Sequence, residues 1–160
     1  MSNWTAPSWK MNVGINHVPA YQASGRPFAS GSILSSSSAH KVEFPYVTRW
    51  VHIVNRGGSD IKVGFSEAGV RADADWTATR SMEAGTYFFV LPTSGSTVNL
   101  PSRAVNSIRM ETKVSQIWLS ASVETDSLYK VDVLAGLTTI PIQRTSGSKG
   151  PNFSGSVGVG

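Results

Sequence analysis

The chain has 160 residues, 40% of them hydrophobic, with a formal net charge of +4 at pH 7 and no cysteine. This length suits one domain with a single core, and the absence of cysteine excludes disulfides, thiolate metal sites and cysteine nucleophiles. The apolar runs are far shorter than the ~20 residues that span a bilayer, and no signal-peptide pattern follows Met1, so we expect a soluble, untargeted chain with no membrane span.

The positive charge is concentrated at the two ends of the chain. All ten carboxylates lie between Glu43 and Asp132, so residues 1–42 and 143–160 contain no acidic side chain. The basic residues of these ends are Lys10, Arg26, Lys41, Arg144 and Lys149. They are sparse compared with the Lys/Arg blocks that neutralise phosphates, so direct nucleic-acid binding is not expected.

Residues 1–40 are predicted to form an extended N-terminal arm. They hold Trp4, Trp9, Tyr21 and Phe28 among Ser, Gly, Pro and Asn residues, with a run of four serines near the end. An aromatic side chain in a polar arm contributes most to the binding free energy when it inserts into a pocket of a partner. The alternative is that the two tryptophans fold back onto their own sheet.

Residues 41–142 show a period-two pattern of apolar and β-branched residues, which is typical of an all-β domain. The segments 46–55 and 61–66 flank Gly57 and Gly58, and this arrangement predicts a hairpin. A glycine pair between two strands does not fit a dinucleotide-binding site, which needs a helix after the glycines.

The later segments continue the alternation. Residues 87–91 and 97–100 are each closed by a proline, which cannot donate a ladder hydrogen bond. Residues 108–114 and 117–123 each show one polar and one apolar face, and the alternation of apolar and polar residues continues through residues 129–142. About eight strands at spacings of about 8 to 15 residues favour an antiparallel β-sandwich or jelly roll over a parallel sheet.

The C-terminal tail, residues 143–160, contains five glycines, four serines and one aromatic residue, Phe153. Composition alone predicts a flexible coil for such a segment. The chain is therefore divided into an arm, a β body and a tail, at residues 1–40, 41–142 and 143–160.

The sequence lacks the convergent titratable groups of an active site. His17, His40 and His52 do not stand at metal-ligand spacings, and no serine lies in a Gly-x-Ser-x-Gly motif. Asp73 and Asp75 have the alternate spacing that can share a Ca²⁺, but the glycine and distal glutamate of an EF-hand loop are missing. We expect no enzyme, cofactor or metal. A weak enzyme alternative combines His52 with Asp73 or Asp75.

Two tryptophans of the body have different predicted roles. Trp50, on a strand rich in β-branched and aromatic residues, is predicted to lie in the core. Trp118 lies with Ser120 and Ser122 on the wetter face of its strand, so it is a candidate for a partner interface or a ligand platform. A carbohydrate-binding β-sandwich that uses Trp118 and Trp76 is therefore an alternative function.

Five segments of the body share their pattern with a known family of β proteins. They are EFPYVTRWV at 43–51, VGFS at 63–66, YFFVL at 87–91, VSQIWLS at 114–120 and VLAGLTTI at 133–140. Over about residues 43–141, the body resembles the single jelly-roll vertex proteins of nucleocytoplasmic large DNA viruses. The resemblance implies a single jelly roll, an eight-stranded antiparallel β-sandwich with extended N- and C-terminal arms.

The resemblance further implies a structural capsid protein, the penton of a double-stranded DNA virus. Five copies would close each icosahedral vertex and contact neighbouring major and minor capsid proteins, in a virion whose proteins are made in the host cytoplasm. A minor capsid or decoration protein is the alternative within this class. From the residues themselves, we predict that both arms strap one subunit to the next. The predicted partner-contact residues are Trp4, Trp9, Tyr21, Arg26, Phe28, Trp118, Arg144, Lys149 and Phe153.

Overall fold

The computed structural model describes Ile15 and residues 25–34, 39–70, 87–93, 106–121 and 129–159. These residues form two antiparallel β-sheets and only two short helices. The prediction of an all-β sandwich is therefore confirmed. In the described part of the chain, no helix combines the length and apolar character needed to cross a membrane.

The secondary structure follows the chain from Arg26 onward. The strands are β1 (Arg26–Leu34), β2 (His40–Glu43), β3 (Thr48–Asn55), β4 (Ile61–Gly64), β5 (Phe88–Leu91), β6 (Ser107–Met110), β7 (Gln116–Ala121) and β8 (Tyr129–Leu137). A one-turn helix, α1 (Glu67–Val70), follows β4, and a 3₁₀ helix (Ile142–Thr145) follows β8. The predicted strand at 97–100 lies outside the described residues.

Each sheet contains four of these strands. Sheet A has the order β1-β8-β3-β6, and sheet B has the order β2-β7-β4-β5. The first strand pairs with the eighth, the second with the seventh, the third with the sixth and the fourth with the fifth. Two further antiparallel pairs, β3 with β8 and β4 with β7, complete the sheets.

The segment through Gly57 and Gly58 connects the two sheets. The predicted hairpin is wrong, because β3 belongs to sheet A and β4 to sheet B. Asn55 is fully buried and organises the turn. Its Oδ1 accepts a hydrogen bond from the Gly57 N–H at 2.9 Å, and its Nδ2 donates to the Ser59 carbonyl at 2.9 Å. These bonds direct the chain across the edge of the core.

Residues 26–34 form a strand, although the sequence placed them in the arm. β1 pairs with β8 along its whole length, from Arg26 opposite Leu137 to Leu34 opposite Tyr129. The serines and glycine of this strand gave it the composition of a linker. Within the described residues, the two sheets therefore include Arg26–Leu34, which the sequence predicts as part of the arm.

The core lies between the two sheets. Its fully buried side chains come from the inward faces of β3, β4, β7 and β8 and include Val51, Ile53, Ile61, Val63, Ile117, Leu119, Val131 and Val133. The predicted two-faced character is confirmed on β7, where Trp118 and Ser120 are partly exposed between buried neighbours. This alternation is the period-two pattern of a sheet with one buried face.

Trp50 lies on the outer face of sheet A, so its predicted core position is wrong. The register is interrupted between Thr48 and Trp50, and the buried side chains on either side are Thr48 and Val51. Trp50 is only partly buried, and the Arg109 guanidinium lies 4.6 Å from its ring centroid. The indole occupies the space above Gly136, where a Cβ atom would clash with it.

Candidate assembly surfaces

The six predicted partner-contact residues within the described ranges do not form one site. Trp4, Trp9 and Tyr21 lie outside the described residues, as do His17, Asp73, Asp75 and Trp76. His52 lies on the outer face of sheet A, in register with Arg109 on β6 and Leu134 on β8. The remaining six contact residues occupy the start of β1, the outer face of sheet B and the tail.

Phe28 and Arg26, on β1, have different environments. The Phe28 ring packs edge-on against Phe44 with centroids 5.0 Å apart, beside the hydrophobic core. Because this contact is within the body, Phe28 is poorly placed to serve as an anchor in a partner. Arg26 is exposed, and its guanidinium lies 5.2 Å from the ring centroid of Tyr46. Arg26 therefore remains a candidate contact.

Trp118 is partly covered on the outer face of sheet B. The Lys41 Nζ lies 5.9 Å from its ring centroid and 2.6 Å from a Glu43 carboxylate oxygen. The indole N–H is buried and has no hydrogen-bond partner within the described part of the chain. The ring is therefore not a fully open platform of the kind that a sugar stacks on. Its role in partner binding stays a prediction.

The C-terminal tail packs onto the body through Asn152, which is fully buried. The Asn152 Nδ2 donates to the carbonyls of Phe65 at 2.6 Å and Gln116 at 3.0 Å, and its Oδ1 accepts from the Ser115 N–H at 2.8 Å. These groups stand at the end of β4 and the start of β7, which are neighbours in sheet B. The side-chain amide therefore extends the ladder as a peptide group would. The prediction of a flexible coil is wrong for residues 143–159.

The backbone at Asn152 adopts a rare conformation. Asn152 and Phe153 have φ angles of 59° and 60°, and the Ser154 N–H donates to the Pro151 carbonyl at 3.2 Å. This is a tight turn with both central residues in the left-handed region, which asparagine tolerates and phenylalanine seldom adopts. The turn directs the Asn152 amide into the body.

Other hydrogen bonds attach the tail on both sides of this turn. The Phe153 N–H donates to the Thr145 carbonyl at 2.6 Å, and the hydroxyls of Thr145 and Ser115 are hydrogen-bonded at 2.9 Å. Near the end of the tail, the Ser66 hydroxyl donates to the Val159 carbonyl at 2.6 Å. The side chains of Arg144 and Lys149 are exposed, whereas Phe153 is partly buried. The two basic residues therefore remain candidate contacts.

A recess of about 450 Å³ opens where β2 and β7 meet the tail. Its lining residues are Glu43, Phe44, Pro45, Ser115, Gln116, Ile142 and Pro151. Most of this lining is apolar, and among the described residues that form it Glu43, whose side chain is 64% exposed, is the one acid. Because Pro151 directly precedes Asn152, the packed tail builds one wall. Sequence reasoning missed this recess because its residues come from separate segments.

Two residues of the predicted arm lie against the same end of the sandwich. The Lys113 Nζ donates a hydrogen bond to the Ile15 carbonyl at 3.1 Å. Lys113 stands two positions before Ser115, which lines the recess. The Gly25 N–H donates to the Leu137 carbonyl at 2.7 Å, at the start of β1. Ile15 and Gly25 are therefore both hydrogen-bonded to the body.

The described residues contain no group of three or more His, Asp or Glu side chains placed to hold a metal ion. They define an antiparallel β-sandwich with a packed C-terminal tail and a recess at one end. In comparisons with known proteins, no family model, no curated protein and no solved structure matches the chain.

Proposed function

We propose that the chain is a structural subunit of a viral capsid, built as a single jelly roll and assembled as the pentamer at the vertices of an icosahedral shell. The observation that carries the proposal is the strand pairing. Among the described strands, β1 pairs with β8, β2 with β7, β3 with β6 and β4 with β5, which is the pattern of a long antiparallel hairpin. The distribution of these pairs over two sheets supports a jelly roll, a fold used by capsid proteins, lectins and cupins.

The segments that resemble vertex proteins favour the capsid among these uses. The five segments include residues of β2, β3, β4, β5, β7 and β8, so they cover strands of both sheets. The acid-free arm is a second supporting feature, because an aromatic, weakly basic extension suits contact with a neighbouring subunit better than binding of a small molecule. A ring of identical copies also needs two different surfaces on each copy. In this proposal, residues 1–24 and the recess would supply the two surfaces.

The oligomeric state of the purified full-length chain tests the proposal. Native mass spectrometry should give a species with five times the mass of one chain, and negative-stain images should show closed five-fold rings. A variant that lacks residues 1–24 is the matched control, since it retains β1, which begins at Arg26. It should keep the far-ultraviolet circular dichroism of a β protein and lose the rings. A stable monomer that binds glycans would contradict the proposal.

A further inference from the structure

We propose that the recess is the docking site for residues 1–14 of a neighbouring copy of this chain. Trp9 enters the recess, and the Lys10 ammonium approaches Glu43 at its rim. The inference rests on the proposed function, because it identifies the contact that joins adjacent subunits. It also assigns different roles to the two ends of the chain. The tail shapes the recess, and the arm of the next subunit fills it.

The chemistry of the recess fits this occupant. Its lining consists mainly of apolar residues, with Pro45, Ile142 and Pro151 beside the buried Phe44, and it is open to solvent on one side. Residues 1–14 contain two tryptophans and one lysine and no carboxylate. An aromatic anchor with an adjacent positive charge therefore complements an apolar recess with a single acid at its rim.

Glu43 is accessible to an incoming lysine, although Lys41 already pairs with it at 2.6 Å. The side chains of Lys41 and Glu43 are 41% and 64% exposed. A solvent-exposed ion pair contributes little to stability, so the carboxylate can share a second cation at small cost. The Trp9 ring would provide most of the binding free energy, and the lysine would orient the segment.

The position of Ile15 allows the segment to reach another subunit. The hydrogen bond from Lys113 holds the Ile15 carbonyl against the body, and the preceding 14 residues span up to about 46 Å when extended. A domain of the size of residues 26–159 is about 37 Å across, from a radius of gyration of about 14 Å. The segment can therefore cross to the recess of an adjacent copy, and in a ring each copy would give one arm and receive another.

Disulfide trapping between two populations tests the contact, because the chain has no cysteine of its own. One population carries Lys10→Cys and the other carries Glu43→Cys. After mixing, exchange of subunits and mild oxidation, a covalent dimer should appear on a non-reducing gel. The control partner is Gly58→Cys, which is exposed, has no neighbouring atom within 4 Å of its Cβ position and lies in the β3–β4 connection. It should yield at least about tenfold less dimer with Lys10→Cys.

The outcomes separate this inference from the proposed function. Rings without a 10–43 cross-link would overturn the docking site and leave the capsid proposal in place. An intrachain cross-link in the Lys10→Cys/Glu43→Cys double variant, with no dimer in the mixture, would show that the arm occupies its own recess and would also overturn the inference. A chain that neither forms rings nor cross-links would contradict both proposals.

Single substitutions in the arm provide a second measurement that does not depend on the stability of the body. Trp9→Ala should raise the protein concentration at which half of the chains are in rings by at least about tenfold, because an aromatic anchor is lost. Trp4→Ala, the matched control, should change this concentration by less than about threefold. Equal effects of the two substitutions would exclude Trp9 as the residue that occupies the recess.

Discussion

The side-chain amide of Asn152 donates a 2.6 Å hydrogen bond to the backbone carbonyl of Phe65, across 87 positions of the sequence. Through this bond and those to Ser115 and Gln116, the tail supplies peptide-like pairing at one end of sheet B. A buried polar group that loses its partner costs about 1–3 kcal/mol. The tail is therefore expected to contribute to the stability of the body, although its composition resembles that of a linker.

Replacement of Asn152 by glycine should destabilise the protein by about 3 kcal/mol. Glycine tolerates the left-handed backbone at this position, so the loss would come from the unpaired groups of Phe65, Ser115 and Gln116. Urea denaturation monitored by tryptophan fluorescence gives the change in the free energy of unfolding. Ser156→Ala, at an exposed position of the same tail, should change it by less than about 0.5 kcal/mol. A wild-type midpoint for Asn152→Gly would contradict the anchoring role.

Removal of the tail in two steps should separate its contributions. A chain that ends at residue 155 keeps the Asn152 bonds and loses the bond between Ser66 and Val159, so we expect a loss of about 1 kcal/mol. A chain that ends at residue 142 also loses the buried side chains of Thr145 and Asn152 and should be several kcal/mol less stable, on the order of the summed cost of their unpaired partners. Thermal unfolding by circular dichroism measures both. Equal melting temperatures for the two truncations would show that the packed turn contributes nothing.

Gly136 and Trp50 should be energetically coupled. Gly136→Ala places a methyl group against the indole and should cost about 1–3 kcal/mol. In a Trp50→Ala background the clash is absent, and the same change should be neutral or stabilising by about 0.5–1 kcal/mol, because alanine loses less backbone entropy than glycine. A double-mutant cycle from denaturation midpoints measures this reversal of sign. The same loss in both backgrounds would disprove the contact.

Phe153 should show an inverted preference between alanine and glycine. Both substitutions remove the ring, but alanine in the left-handed region carries a penalty of about 1–2 kcal/mol that glycine avoids. Phe153→Gly should therefore be more stable than Phe153→Ala by about 1 kcal/mol, as measured by urea denaturation. At Ser146, which has an extended backbone with a φ of −64°, the order of the two substitutions should be the usual one, with alanine the more stable. An alanine variant at 153 that is as stable as the glycine variant would contradict the left-handed turn.

The exposure of the basic residues at the two ends could be anticipated from single residues. The acid-free ends predict Arg26, Arg144 and Lys149 as contacts, and all three side chains are exposed. The same composition predicts Phe28 as a contact, but its ring packs against Phe44. The recess could not be anticipated, because Glu43, Gln116 and Pro151 become neighbours only when β2, β7 and the tail are assembled.

The sequence by itself determined the all-β class of this protein and the alternation of its faces. Ile117 and Leu119 are buried and Trp118 lies between them because side chains of an extended strand point to opposite sides, which is a local property of the backbone. The tertiary structure alone decided which sheet each strand joins, that Trp50 faces outward above Gly136, and that Asn152 completes sheet B. Those outcomes depend on hydrogen bonds and contacts between residues far apart in the chain, whose energies a local pattern does not encode.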